Sequence, residues 1–232
     1  MEKTIDDKEL GPIVVRKNLL AKHYSIRIVE GVVIATIPKR GTENEMLTFI
    51  ENKRDRLRKM MERNRKRPVL NEYCAIKTSS FEVHIFRTRR TNIYVSLRDG
   101  ILHIACPEDI DFDDERIQKM LWSIFTKVVK AEAVRLLPSR LEMIAAQHGF
   151  QYAGVTIRNT KTRWGSCNSK QQINLSSFLM LLPDHLINYV ILHELCHTVE
   201  MNHGIRFNDL MDKVTDNCAQ KLRKELREVG IW

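Results

Sequence analysis

The chain has 232 residues, 43% of them apolar, and a formal net charge of +9. That length supports one large domain or two small ones with real cores, and the apolar content excludes a disordered chain. No apolar run approaches the roughly 20 residues of a membrane helix. The polar start Met1-Glu2-Lys3-Thr4-Ile5-Asp6-Asp7 also lacks the basic-then-apolar order of a secretory signal. A cytoplasmic location with no membrane partner is the expectation. Five widely spaced cysteines, an odd number with no CxxC, argue against a disulfide framework and fit the same setting.

In chain order, Tyr24 to Val29 and Val32 to Ile37 read as strands joined by a turn at Glu30-Gly31. Thr42 and Glu45 form a capping-box pattern. Met46, Phe49, Ile50, Leu57, Met60 and Met61 then recur at helical spacing, so one helix is predicted to about Arg63, ending before Pro68. Phe81 to Phe86, Asn92 to Leu97 and Ile101 to Cys106 read as strands, with a hairpin turn at Asp99-Gly100. A helix follows from Asp113. Tyr24 to Met61 and Ile93 to Leu137 therefore share a strand-turn-strand-helix order, a two-copy internal repeat.

Pro138 is positioned to begin a further helix, which Gly149 would end. Val155 to Arg158 and Ile173 to Leu175 are short strands around the turn-rich stretch Thr162 to Ser169. Pro183-Asp184 opens another helix, and a last one spans about Arg206 to Glu228. The predicted class is α+β. Residues 1–130 form a strand-rich half of β-hairpin and helix units, and 131–232 a second half. The boundary is soft, because the helix from Asp113 bridges it, and a single domain over 12–230 is the alternative.

The chemistry concentrates in His193-Glu194-Leu195-Cys196-His197, an HExxH pattern inside the apolar run Leu186, Ile187, Val190, Ile191, Leu192. Two histidines four apart share one helix face and converge on one metal ion, with the intervening glutamate as general base. Polar groups in so apolar a helix need partners. His203 is the preferred third ligand. A continuous helix would carry it about 9 Å beyond His197, out of reach of bonds near 2.0–2.1 Å. The helix must therefore end between Glu200 and Asn202, with Asn202 or Gly204 supplying a permissive backbone. Glu200 is the competing ligand, or an acceptor that orients a histidine. Cys196 reads as a small buried filler.

Three imidazoles select Zn2+ and leave its fourth position open to a water whose pKa falls toward about 7. Glu194 would take that water's proton and pass it to the leaving amine. Tyr189, Arg163, Asn202 and Arg206 are candidate oxyanion donors that the sequence does not rank.

The blocks Arg163-Trp164-Gly165-Ser166-Cys167, Ile173-Asn174-Leu175, Tyr189 to His197, and Glu200-Met201-Asn202-His203 with Phe207 resemble the YgjP-like family of zinc metallopeptidases, relatives of the SprT-like proteases. The N-terminal strand pair and basic helix are similar too, so the likeness covers nearly the whole chain. It implies a zincin-like helical metallopeptidase domain with a small mixed sheet. It also implies His193, His197 and His203 as zinc ligands and Glu194 as catalytic acid and base. Glu200, Asn174 and Tyr189 are candidate supporting or substrate-binding residues. Ile173 to Ser177 becomes an edge strand able to pair with an extended peptide. Trp164 and Cys167 pack beneath it.

The expected partner is a peptide or protein substrate, and the oligomeric state is open. Alternatives are an amidohydrolase acting on a non-peptide amide, a zinc-stabilised scaffold, or a protease module of SprT-like type held on nucleic acid. The last would use the basic clusters Arg54 to Arg67 and Arg87-Thr88-Arg89-Arg90. A solvated helix face and a hairpin tip are the plainer reading of both clusters.

Overall fold

The computed structural model describes residues 2–29, 32–64 and 68–229. The Glu30-Gly31 turn and the end of the Arg54 to Arg67 cluster lie outside them. The chain divides at Pro68/Val69 into two compact units. Residue 130, near which the sequence places a soft boundary, lies within a helix whose two halves line one core.

In the first unit, strands β1 (Glu2–Asp7), β2 (Gly11–Lys17), β3 (Ser25–Val29) and β4 (Val32–Ile37) form a sheet in the order β1-β2-β4-β3. Sequence patterning missed β1 and β2. β1 is largely exposed, and Gly11-Pro12 looks like a break. The single helix expected after Thr42 is two, α1 (Glu43–Glu51) and α2 (Arg54–Asn64), and the Thr42–Glu45 capping box is present. Leu10, Ile13, Val33, Ala35, Met46 and Ile50 form the centre of this unit's core. Arg54 leaves the basic cluster to grip Asp7 through two hydrogen bonds of 3.0 Å. That guanidinium holds the Asp7 carboxyl well below the usual carboxylate range.

The second unit holds two three-stranded sheets. One joins β5 (Glu82–Thr88), β6 (Tyr94–Arg98) and β7 (Ile101–Pro107) in the order β5-β7-β6. Asp99 and Gly100 both have positive φ, as a tight hairpin turn requires. The other joins β8 (Gly154–Arg158), β9 (Gly165–Cys167) and β10 (Gln172–Ser176) in the order β8-β10-β9. In both, the third strand is central, parallel to the first and antiparallel to the second. β2, β3 and β4 are wired the same way. The repeat therefore has three copies of a three-strand unit followed by helix. The last copy escapes sequence patterning because β9 is only three residues long.

Helix α3 (Glu115–His148) runs unbroken through Pro138 for 34 residues, where a new helix was expected to begin. Proline removes one backbone hydrogen bond, here between half-buried Pro138 and exposed Val134. Burial of Leu121, Phe125, Val129, Ala133, Leu137 and Leu141 along one stripe outweighs that loss. Gly149, with φ of 72°, closes the helix. After a short 3-10 turn (Ser177–Leu181) come α4 (Asp184–Cys196), α5 (Ile205–Val214) and α6 (Ala219–Glu228). The last two replace one expected helix. Asp216 and Asn217 take positive φ between them, which no helix continues through. Arg87 of the second basic cluster is also engaged internally, bonding the Glu72 carboxylate and the Ile110 carbonyl at 3.1 and 3.0 Å and lying over the Phe112 ring.

Candidate metal centre

The apolar residues of α4 are buried on every side, so the helix is fixed in the core of the second unit. Arg140 on α3 holds its first turn, donating to Asn188 Oδ1 at 2.8 Å and to the Asp184 carboxylate and carbonyl at 2.6 and 2.9 Å. The helix stops at Cys196 with His197 as its cap, earlier than expected. The Thr198 hydroxyl donates to the Leu195 carbonyl at 2.7 Å and competes with further helix there. Asn202 is not among the residues of positive φ, and Gly204 has φ of −83°, so no left-handed residue is needed for the turn. Gly204 caps α5 instead.

This early exit brings His203 back. Its Nε2 lies 3.2 Å from His193 Nε2, and one ring nitrogen from each of His193, His197 and His203 falls within 4.8 Å of the others. Two ligands on one tetrahedral zinc at its usual bond length sit about 3.3 Å apart, so the spacing suits a shared divalent ion. His197 donates from Nδ1 to the Glu200 carbonyl at 3.1 Å, which leaves Nε2 with its lone pair toward the cluster. Glu200 thus orients a histidine through its backbone, with its carboxylate taking no part in that contact. Burial, with the neighbouring imidazoles, pulls His193 down to about 4 and keeps the ring neutral, the form in which an imidazole can bind a metal.

Phe207 on α5 is the partner that sequence reasoning matched without a role. Its ring stacks on His197 at 4.5 Å and meets His203 and His193 edge-on at 4.8 and 5.0 Å. One buried aromatic therefore backs all three imidazoles.

Glu194 is 5% exposed, and its Oε2 has no hydrogen-bond partner among the described residues. Burial raises its pKa to about 8, against the opposing field of Arg163. An orphaned buried carboxyl, carried by the residue after one of three convergent imidazoles, is what a hydrolytic metal site requires of its surroundings, so the residues fit a bound metal ion. Cys196 is fully buried and its thiol is pushed up to about 12 by that burial, consistent with filler.

The strand expected at the sheet's edge is corrected. β10, with Asn174, is central, with β8 on one edge and β9 on the other. It lies against α4 because Gly165 has no side chain. A Cβ there would sit 2.6 Å from Glu194 Oε1. Asn174 accepts from Arg158 Nε at 2.7 Å and is 3.5 Å from Ser166 Oγ. Trp164 and Cys167 pack against the core, as expected. Tyr189 is buried one turn before His193, with ring centroids 6.2 Å apart. Asn202 and Arg206 are exposed.

One cavity is lined by two of the three imidazoles, and a second borders Gly165, which packs on Glu194. The first, of about 370 Å³, is lined by Tyr189, His193, His203 and Phe207 together with α6 residues. The other, about 310 Å³, is lined by Arg158, Arg163, Gly165 and Ser166 among others.

Among solved structures, the chain is similar to the metallopeptidase zymogen of Pyrococcus abyssi abylysin, with 24% identity and a TM-score of 0.34, over 37% of this chain and 87% of that one. It is also similar to the metallopeptidase zymogen of Methanocaldococcus jannaschii jannalysin, with 20% identity and a TM-score of 0.33, over 38% and 90%. None of the curated proteins matches it. The model of the YgjP-like metallopeptidase domain matches residues 22–229, which spans most of both units. With that match over most of its length, the chain belongs to the YgjP-like metallopeptidase family.

Proposed function

We propose that the chain is a zinc-dependent peptidase in which His193, His197 and His203 hold the metal and Glu194 is the general acid and base. The observation that carries this reading is the meeting of three imidazole nitrogens within 4.8 Å, with the next residue after His193 carrying a buried carboxyl whose Oε2 has no hydrogen-bond partner among the described residues. A set of three neutral imidazoles favours zinc over harder ions. When bound, the metal supplies a Lewis acid that polarises the peptide carbonyl and makes water nucleophilic near neutral pH.

The chain's own groups do the rest. Glu194 Oε2 accepts the proton of the attacking water and delivers it to the leaving amine. The Glu200 carbonyl and the Phe207 ring hold the imidazoles in register. The outer edge of β9 offers unpaired backbone to an extended substrate, as strand addition requires. Tyr189 and Asn174 line the two cavities and serve as substrate contacts. All five thiols are free, which suits a reducing cytoplasm. No helix among the described residues is long and apolar enough to cross a membrane.

Metal analysis coupled to a peptide-library digest tests the reading. Wild type should carry about one zinc per chain and cut peptides. Glu194→Gln should keep the zinc and lose cleavage. Full cleavage by Glu194→Gln, or no metal on wild type after zinc loading, would overturn it.

A further inference from the structure

The charges around the two cavities are unequal. In the larger one, α6 supplies Arg223, Lys224 and Arg227 against the single carboxylate of Asp212. Arg223 and Arg227 stand four residues apart on one helix face, where like charges repel. Among the described residues none of these three cations is paired with a carboxylate. α6 is nonetheless held in position. Glu225 meets His185 of α4 at 2.6 Å, and Leu222 and Leu226 pack on the core. Its basic face is therefore a fixed wall of a cavity whose opposite lining includes His193 and His203.

The smaller cavity repeats the pattern on the glutamate side. Arg158 and Arg163 line it with hydroxyls and an amide, and no acidic residue is among its walls. Arg158 is aimed by its bond to Asn174, which uses Nε and leaves both terminal nitrogens available. Gly165 is shared between this cavity and the Glu194 carboxyl. Two separate cavities, one lined by His193 and His203 and one sharing Gly165 with the Glu194 carboxyl, are thus both cationic.

We infer that the cleft selects acidic polypeptide, with a carboxylate side chain on one side of the cut bond received by Arg223 and Arg227 and another on the far side received by Arg158 and Arg163. Guanidinium groups suit carboxylates because their donors form a planar fork. This inference rests on the proposed peptidase reading for its site but adds the substrate class.

The test uses three peptides with one apolar scissile pair flanked on both sides by Glu, Gln or Lys. Binding is measured by fluorescence anisotropy on full-length, zinc-loaded Glu194→Gln, and cleavage on loaded wild type. The Glu peptide should bind about tenfold tighter than the Gln peptide and tighter still than the Lys peptide, with the advantage fading in about 0.5 M salt. Adding Arg223→Gln with Arg227→Gln should bring the Glu/Gln ratio down about threefold, and adding Arg158→Gln should lower it further. These side chains are exposed, so circular dichroism should be unchanged. Equal binding of all three peptides, no binding of any, or a Lys preference overturns the inference. Glu-selective binding with no cleavage by loaded wild type upholds it and overturns the peptidase reading instead.

Discussion

Gly165 and Glu194 are packed so closely that a Cβ on the glycine would lie 2.6 Å from Oε1 and 2.7 Å from Cγ of the glutamate. Gly165 is not among the glycines of positive φ, so its backbone would tolerate alanine. What the position lacks is room. Gly165→Ala should therefore fold and bind metal but displace the carboxyl. We expect kcat/KM for peptide cleavage to fall about 100-fold, as misplacements near 1 Å can produce, with zinc stoichiometry unchanged. An alanine variant of wild-type activity would show that the contact does not position Glu194.

Phe207 offers a separate test of the imidazole cluster. Phe207→Ala removes a buried ring touching all three histidines and should cost about 3–5 kcal/mol of stability. Zinc affinity should drop about 10–100-fold, the range seen when groups supporting ligands are lost. Phe207→Leu should restore most of the stability and less of the affinity. Competition with a fluorescent chelator and thermal melts separate the two effects.

The metal-free protein should show opposing pH effects from two neighbours. Glu194 has a folded pKa raised to about 8, above its unfolded value of 4.5. Its contribution is fully present below the unfolded value and is lost as pH rises through about 8. His193 has a folded pKa lowered to about 4 from 6.5, so the unfolded chain binds its proton more readily and stability falls as pH drops through that window. Glu194→Gln in metal-free protein should therefore match wild type near pH 5 and exceed it near pH 9, by on the order of a few kcal/mol. Denaturant melts across pH check the sign, and a variant less stable at pH 9 would contradict it.

In the first unit, the Arg54 fork on Asp7 stabilises the carboxylate form. With a depressed folded pKa, this contribution is present above the unfolded carboxylate value and is lost as pH falls below it. Asp7→Asn should lower the unit's stability by about 1–2 kcal/mol at pH 7 and by little near pH 2. Amide exchange in residues 2–17 reads this unit without interference from the other.

The sequence by itself determined the chemistry and the local structure that repeats with a short period. His193, Glu194 and His197 share a helix because four residues make about one turn. Strands β3 to β8 and β10, the Thr42 cap and the Asp99-Gly100 turn were legible from alternation and turn residues. Only the tertiary structure decided what depends on distant segments. Burial along one stripe carried α3 through Pro138, although the proline alone argues for a break. Pairing order made β9 an edge in place of β10, because which strand is central depends on partners that no local pattern records. The turn at Thr198 delivered His203, and packing of α5 set Phe207 behind the imidazoles. Above all, the need for a side-chain-free residue at 165 arises from a helix some thirty residues later in the chain, through contact alone.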